Sequence, residues 1–164
     1  MRRQALPLWL VLLAMLLPSC GGNGGQLRGW RALQSGTELG IDKGAGPQGE
    51  DVLAVLHTIS TGHDYAIERS LAGIGLDGSP RLRLQARATR VLHLALVLVD
   101  STGSEHECVR TLLPDGWREL ACDSFEPHVG DWSDVVSMRL EDRTGGLGGQ
   151  GPVSLKLVGL PLDE

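Results

Sequence analysis

Apolar and polar residues alternate along several short stretches of the chain, most clearly from Pro80 to Ala88. Leucine or alanine fills every second position from Leu82, and the positions between carry Arg81, Arg83, Gln85 and Arg87. Side chains along a strand point alternately to its two faces, so this period of two predicts a strand with one buried face and one arginine face. The arginine face could meet an anionic glycan or a partner protein, or serve only solubility.

Other stretches predict further strands, separated by glycine, proline or acidic turns. Leu92 to Val99 is apolar at nearly every position, which predicts a central strand covered on both sides. A helical turn is considered only at Leu27 to Leu33. About nine short strands without helical crossovers predict an all-β domain, an antiparallel β-sandwich of the jelly-roll kind. The remaining predicted strands are Thr37 to Asp42, Asp51 to Ser60, Tyr65 to Leu71, Cys108 to Leu113, Trp117 to Asp123, Val135 to Asp142 and Val153 to Leu160.

The first twenty residues have the order of a secretory signal. A basic start at Arg2 and Arg3 precedes an apolar run from Leu6 to Leu17, and Cys20 follows three residues later. The run is about a dozen residues, short of the roughly 20 that span a bilayer. Residues 1–19 therefore resemble a bacterial lipoprotein signal peptide, with Cys20 as the lipidated residue after cleavage. The alternative is an ordinary secretory signal that contains a cysteine.

Glycines follow Cys20, and a glycine-rich segment is typical of a flexible tether. The sequence thus predicts a lipidated tether at residues 20–29 and one β-sandwich domain at 30–164. The acyl chains would make the membrane a partner of the protein and place it in a bacterial cell envelope. Gly21 stands where enteric lipoproteins retained at the inner membrane carry aspartate, which favours the outer membrane.

The net charge of the chain argues against one class of ligand. Cleavage removes two arginines and no acid, which leaves 13 basic against 20 acidic side chains and a net charge near −7. A chain this acidic, with no basic stripe, is a poor candidate for binding nucleic acid.

In an exported protein, Cys108 and Cys122 predict a disulfide, because a turn centred on Asp115 would place them opposite each other on two paired strands. Two buried free thiols are the alternative.

The order of the predicted strands resembles that of the galactose-binding-like jelly rolls. It is most similar to the carbohydrate-binding modules related to family 11 and to the complex I intermediate-associated 30 kDa family. The pattern runs from a glycine-framed strand at Gly36 to Asp42, through Gly116-Trp117-Arg118-Glu119-Leu120, to the last strand at Val153 to Leu160.

Within that family, the resemblance implies sugar binding on a concave sheet face, where aromatic rings stack on pyranose rings. Trp117 and Phe125 match core positions of the family. Tyr65 and Trp132 are left as the predicted platform, with Trp30 as a further candidate and with Arg69 and His63 as polar partners. The family's final strand often carries an aspartate, and no acid occupies Leu157 to Leu160, so the resemblance does not extend to a calcium ion bound there.

No motif for catalysis stands out. The chain has neither G-x-S-x-G nor C-x-x-C, and its five histidines lack metal-ligand spacing, so no enzyme activity and no cofactor are predicted. The acid pairs Glu50-Asp51 and Glu141-Asp142 are either calcium ligands or solvated strand ends. We therefore predict a non-catalytic envelope lipoprotein that binds carbohydrate. The alternative is a structural or protein-interaction lipoprotein with no sugar ligand.

Overall fold

The computed structural model describes residues 28–58, 65–72, 76, 82–144 and 152–158. Within these residues the regular secondary structure consists of ten strands and a short 3₁₀ helix at Trp132–Asp134, joined by turns and loops. The strands are β1 (Trp30–Ala32), β2 (Thr37–Asp42), β3 (Val52–Thr58), β4 (Ala66–Ser70), β5 (Leu82–Ala88), β6 (Leu92–Asp100), β7 (Glu105–Leu112), β8 (Arg118–Cys122), β9 (Val135–Asp142) and β10 (Pro152–Val158).

The strands form two five-stranded antiparallel sheets that face each other. Sheet A has the order β1-β4-β9-β6-β7, and sheet B has the order β2-β3-β10-β5-β8. Successive strands commonly lie in different sheets, so most connections cross the sandwich. The prediction of an antiparallel β-sandwich is confirmed, and two predicted strands, Thr37–Asp42 and Val135–Asp142, have the predicted bounds.

The core between the sheets is built mainly from leucine. Leu94 and Leu96 of sheet A, with Leu155 and Leu157 of sheet B, are at most 3% exposed. Burying each such side chain contributes about 1.5–3 kcal/mol to folding. Because alternate residues of each strand must fill this core, the core also fixes which residues face outward.

The outward side of β6 is buried as well, as its apolar composition predicted. Ala95 and Val97 point away from the core, and they are 0% and 1% exposed. The register places Glu141 beside Ala95 and Arg139 beside Val97. Long charged side chains of neighbouring strands can therefore lie over these small apolar residues.

The helical turn considered at Leu27 to Leu33 is wrong for the residues described. The chain is extended from Trp30 to Ala32, and this short strand pairs with β4, Trp30 lying opposite Arg69. Pairing with a neighbouring strand has outweighed a weak local preference.

Cys108 and Cys122 are joined by a disulfide with Cα atoms 5.9 Å apart, so that prediction is confirmed. The hairpin from which it was argued is wrong. β7 pairs with β6 in sheet A, whereas β8 pairs with β5 in sheet B. The disulfide therefore joins the edge strands of two different sheets, next to a hydrogen bond from Arg110 Nε to the Ala121 carbonyl at 2.9 Å.

The predicted signal peptide, the lipidation site at Cys20 and most of the tether lie outside the described residues and stay predictions. Within the described part of the chain, no helix is long and apolar enough to cross a membrane.

Candidate functional site

The outer face of sheet A, turned away from sheet B, carries a network of charged side chains. Met138 and Leu140 of β9 fill the core, so the residues that alternate with them, among them Arg139 and Glu141, face outward. We call this surface the charged face. It consists of Arg31, Glu68, Glu105, Glu107, Arg139, Glu141 and Arg143.

Strand register brings these residues together from distant parts of the sequence. Arg31 lies opposite Glu68, and Glu68 lies opposite Arg139. Val97 stands between Arg139 and Glu107 in the same row. Adjacent strands are about 4.8 Å apart, so one row places charged groups at regular intervals across the sheet.

Salt bridges connect the network through its two central arginines. Arg139 Nη1 lies 3.2 Å from Glu141 Oε1, and Arg139 also pairs with Glu105. Arg143 Nη2 lies 2.8 Å from Glu141 Oε2 and 3.4 Å from Glu107 Oε2. Five side chains are thus linked by ion pairs in which acids and bases alternate, with Glu141 at the centre of the series.

The middle of the charged face is much less exposed than its rim. The side chains of Glu68, Arg139 and Glu141 are 17%, 18% and 12% exposed, whereas those of Arg143 and Glu107 are 45% and 46% exposed. A hydrogen bond from Arg31 is the main cause that lowers the pKa of Glu68 below its usual range. The central groups are therefore partly desolvated and held in place by their ion pairs, as a polar binding site requires.

The structure removes Tyr65 and Arg69 from the predicted aromatic platform. Tyr65, Ile67 and Arg69 are on the inward side of their strand, and Tyr65 is 1% and Arg69 8% exposed. Residues two apart along a strand share a face, so Tyr65 and Arg69 point inward as Ile67 does. A tyrosine ring this deeply buried cannot stack on a sugar.

Trp132 is the predicted site residue that keeps some exposure. Its ring is half-buried and packs edge-on against Phe125, with centroids 5.7 Å apart. Trp30, another candidate, is 9% exposed. Among the aromatic side chains in the described ranges, none is fully exposed, so Tyr65 and Trp132 do not form one solvent-facing platform.

Tyr65 belongs instead to a buried polar cluster at one end of the sandwich. Its ring centroid is 5.4 Å from that of His57, whose Nδ1 lies 2.8 Å from Thr37 Oγ1. Asp142 is 1% exposed and pairs with Arg90 at 3.3 Å. The Tyr65 hydroxyl has no hydrogen-bond partner among the described residues, and burial together with Asp142 raises its pKa.

Replacing Tyr65 by phenylalanine should leave folding intact or stabilise it by about 1 kcal/mol. The substitution removes a buried hydroxyl that makes no hydrogen bond, and such a group costs about 1–3 kcal/mol when buried. Urea unfolding of Tyr65→Phe beside the parent chain measures the effect. A loss of more than about 1 kcal/mol would show that the hydroxyl has a favourable contact after all.

The predicted calcium ligands have other partners. Asp51 accepts a hydrogen bond from the Gly44 amide at 3.1 Å, and Glu50 accepts one from the Gln48 amide at 2.8 Å. Glu141 and Asp142 face opposite sides of their sheet and pair with arginines. In the part of the chain with described positions, no group of three or more histidine, cysteine or acidic side chains is placed to hold a metal ion.

Arg139 and the glutamates around it were missed as site residues by the sequence analysis. Alternation alone places Arg139 and Glu141 on the outer side of their strand. The ion pair between Arg139 and Glu105 joins β9 to β7 across β6, so it depends on strand order, which alternation does not give.

Comparison with known proteins finds likeness in solved structures only. No protein-family model matches the chain, and no curated protein matches it. An exo-β-agarase superimposes with a TM-score of 0.62 over 81% of this chain at 8% identity, and the match spans 23% of the agarase. A structure of carbohydrate-binding modules from the β-sandwich superfamily gives a TM-score of 0.59 at 13% identity, covering 87% of this chain and 60% of that one.

The family 11 carbohydrate-binding module of a Clostridium thermocellum cellulosomal cellulase gives a TM-score of 0.52 at 12% identity. The match covers 83% of this chain and 90% of the module. At these identities the likeness shows the fold alone, a β-sandwich of the kind found in carbohydrate-binding modules. The resemblance to the complex I intermediate-associated family stays a prediction.

Proposed function

We propose that this β-sandwich is a non-catalytic carbohydrate-binding module, held at the bacterial cell envelope by a lipid on Cys20. Its fold is that of carbohydrate-binding modules, and the family 11 module is matched over most of its length. The binding site in this proposal is the charged face. The observation that carries it is the low exposure of Glu68, Arg139 and Glu141 on an outward sheet surface.

The charged face would bind sugar through hydrogen bonds rather than through ring stacking. Carboxylates accept hydrogen bonds from hydroxyl groups, and arginine donates several in a fixed plane. Bonds to charged groups are stronger than neutral ones, and they gain further strength where water is partly excluded. Because Arg139 is held by Glu105 and Glu141, little side-chain entropy is lost when a ligand binds.

Arg139→Gln tests this site. We expect it to weaken binding of a neutral polysaccharide about tenfold, since it removes charge-assisted bonds. A glycan array and titration calorimetry on the purified full chain would identify the ligand and measure the affinity. Near-ultraviolet circular dichroism checks that the variant is folded.

Arg83→Gln is the matched control, because Arg83 makes a comparable ion pair with Glu119 at 3.1 Å but lies on the outer face of sheet B. Equal losses in both variants would overturn the assignment of the site. No binding by the folded parent chain across a broad panel would overturn the function.

The low exposure of the aromatic side chains supports a second function. Sugar sites commonly use exposed rings, and none of the rings with described positions is fully exposed. The same domain would then be a structural or interaction lipoprotein whose charged face meets an envelope protein. Crosslinking in intact cells, compared between the parent and Arg139→Gln, distinguishes this function from glycan binding.

The proposed anchor has its own test. Cys20→Ser should abolish incorporation of labelled palmitate and release the protein from the membrane fraction, because no acyl chain can then be attached. Cys108→Ser is the control, because it also removes a cysteine but leaves the lipidation signal intact. Membrane association unchanged in Cys20→Ser would show that another segment or partner holds the protein.

A further inference from the structure

The outer face of sheet B brings two cations side by side. Lys156 of β10 lies directly opposite Arg87 of β5. Their neighbours Leu155, Leu157 and Ala86 fill the core, so both cations point outward. Like charges directly opposite each other destabilise a sheet, so this arrangement calls for a compensating negative charge.

The compensation within the described residues is incomplete. Lys156 Nζ lies 2.7 Å from Asp42 Oδ2 on β2. Strand β3 separates β10 from β2, so the lysine leans across Ala54, its partner in register, and away from Arg87. Arg87 is exposed and makes no ion pair with any acid in the described ranges.

Arg87 is also one of a pair of cations on its strand. Arg83 and Gln85 share its outward face, and alternate residues of a strand are about 7 Å apart. Arg83 and Arg87 are therefore separated by about 13 Å along the strand, with an amide side chain between them. Arg83 is paired with Glu119 at 3.1 Å, so Arg87 and its neighbour Lys156 are the cations of this face that a negatively charged ligand would meet.

We infer that the outer face of sheet B binds a glycan bearing carboxylate or sulfate groups, with Arg87 and Lys156 as the principal contacts. A guanidinium offers these anions paired hydrogen bonds, and an ammonium adds a point charge. The mature chain has a net charge near −7. An anionic membrane would repel most of the protein's surface, whereas a linear glycan need contact only these cations. This site is separate from the charged face and does not depend on its function.

Titration of the purified full chain with polygalacturonate and dextran sulfate, beside neutral dextran of similar length, tests the inference. We expect binding of a charged polymer but not of dextran, and weaker binding as salt rises from about 50 to 300 mM. Arg87→Gln and Lys156→Gln should each weaken binding about tenfold. Asp42→Asn should tighten it, because it releases Lys156.

Arg28→Gln is the matched control, since it removes an exposed arginine that belongs to neither face. An equal loss in Arg28→Gln and Arg87→Gln would mean non-specific attraction and overturn the inference. So would binding to phosphatidylglycerol vesicles without binding to either charged polymer. Arg87→Gln should not change any neutral-glycan binding by the charged face, so the two proposals fail independently.

Discussion

Removing the disulfide should lower the free energy of unfolding by about 3 kcal/mol. The bond spans a sequence separation of 14, and closing a loop of about this length restricts the unfolded chain by that amount in the chain-entropy model. Both cysteines are nearly fully buried, at 4% and 3% exposure, so alanine is the suitable replacement at each site. The measurement is urea unfolding of the Cys108→Ala/Cys122→Ala double variant against the oxidised parent chain.

The position of the bond adds to the expected effect. It joins β7 and β8, which are edge strands of opposite sheets and share no backbone ladder. Without the bond, that side of the sandwich depends more heavily on side-chain contacts such as Arg110 with Ala121. The parent chain in reductant is the control and should match the double variant. A difference below about 1 kcal/mol between oxidised parent and variant would mean that the bond contributes little to stability.

Most strands could be predicted because each is specified by its own residues. Val135–Asp142 alternates along its length, and a period of two is a local signal that needs no partner. The first strand, Trp30–Ala32, was missed for the opposite reason. It has only three residues and exists because β4 offers a pairing edge, which no local pattern reveals.

The disulfide shows how a correct pairing can rest on an incorrect geometry. Counting outward from Asp115 placed Cys108 and Cys122 opposite each other, and they do lie within bonding distance. A turn, however, can join two strands of one sheet or carry the chain from one sheet to the other. Both arrangements bring residues on either side of the turn together, so the count could not distinguish them.

The site was harder to predict than the fold, because it is made of rows that cross several strands. Tyr65 and Arg69 were selected by residue type. Both lie two residues from Ile67, which is in the core, so both side chains point inward. Arg139 becomes a candidate only when its strand is known to lie between those that carry Glu68 and Val97. That order follows from the packing of the whole sandwich.

Asp142 supplies the second large effect, because it is a buried charge with a specific set of partners. Its side chain is 1% exposed, pairs with Arg90 at 3.3 Å and accepts a hydrogen bond from the Thr144 amide at 2.9 Å. Removing one member of a buried ion pair takes away the main compensation of the other charge, which typically costs 3–5 kcal/mol. Arg90 keeps 22% exposure, so water recovers part of that loss.

Asp142→Ala should therefore lower the free energy of unfolding by about 2–4 kcal/mol. Glu141→Ala is the matched control. It removes the adjacent acid on the outward side of the same strand, and its partners Arg139 and Arg143 each keep a second glutamate. We expect a loss of about 1 kcal/mol or less there, because both arginines keep an ion pair with an exposed glutamate. Urea unfolding followed by tryptophan fluorescence measures both variants. Equal losses in the two variants would show that the burial of Asp142 adds nothing to the effect of removing an acid from this strand.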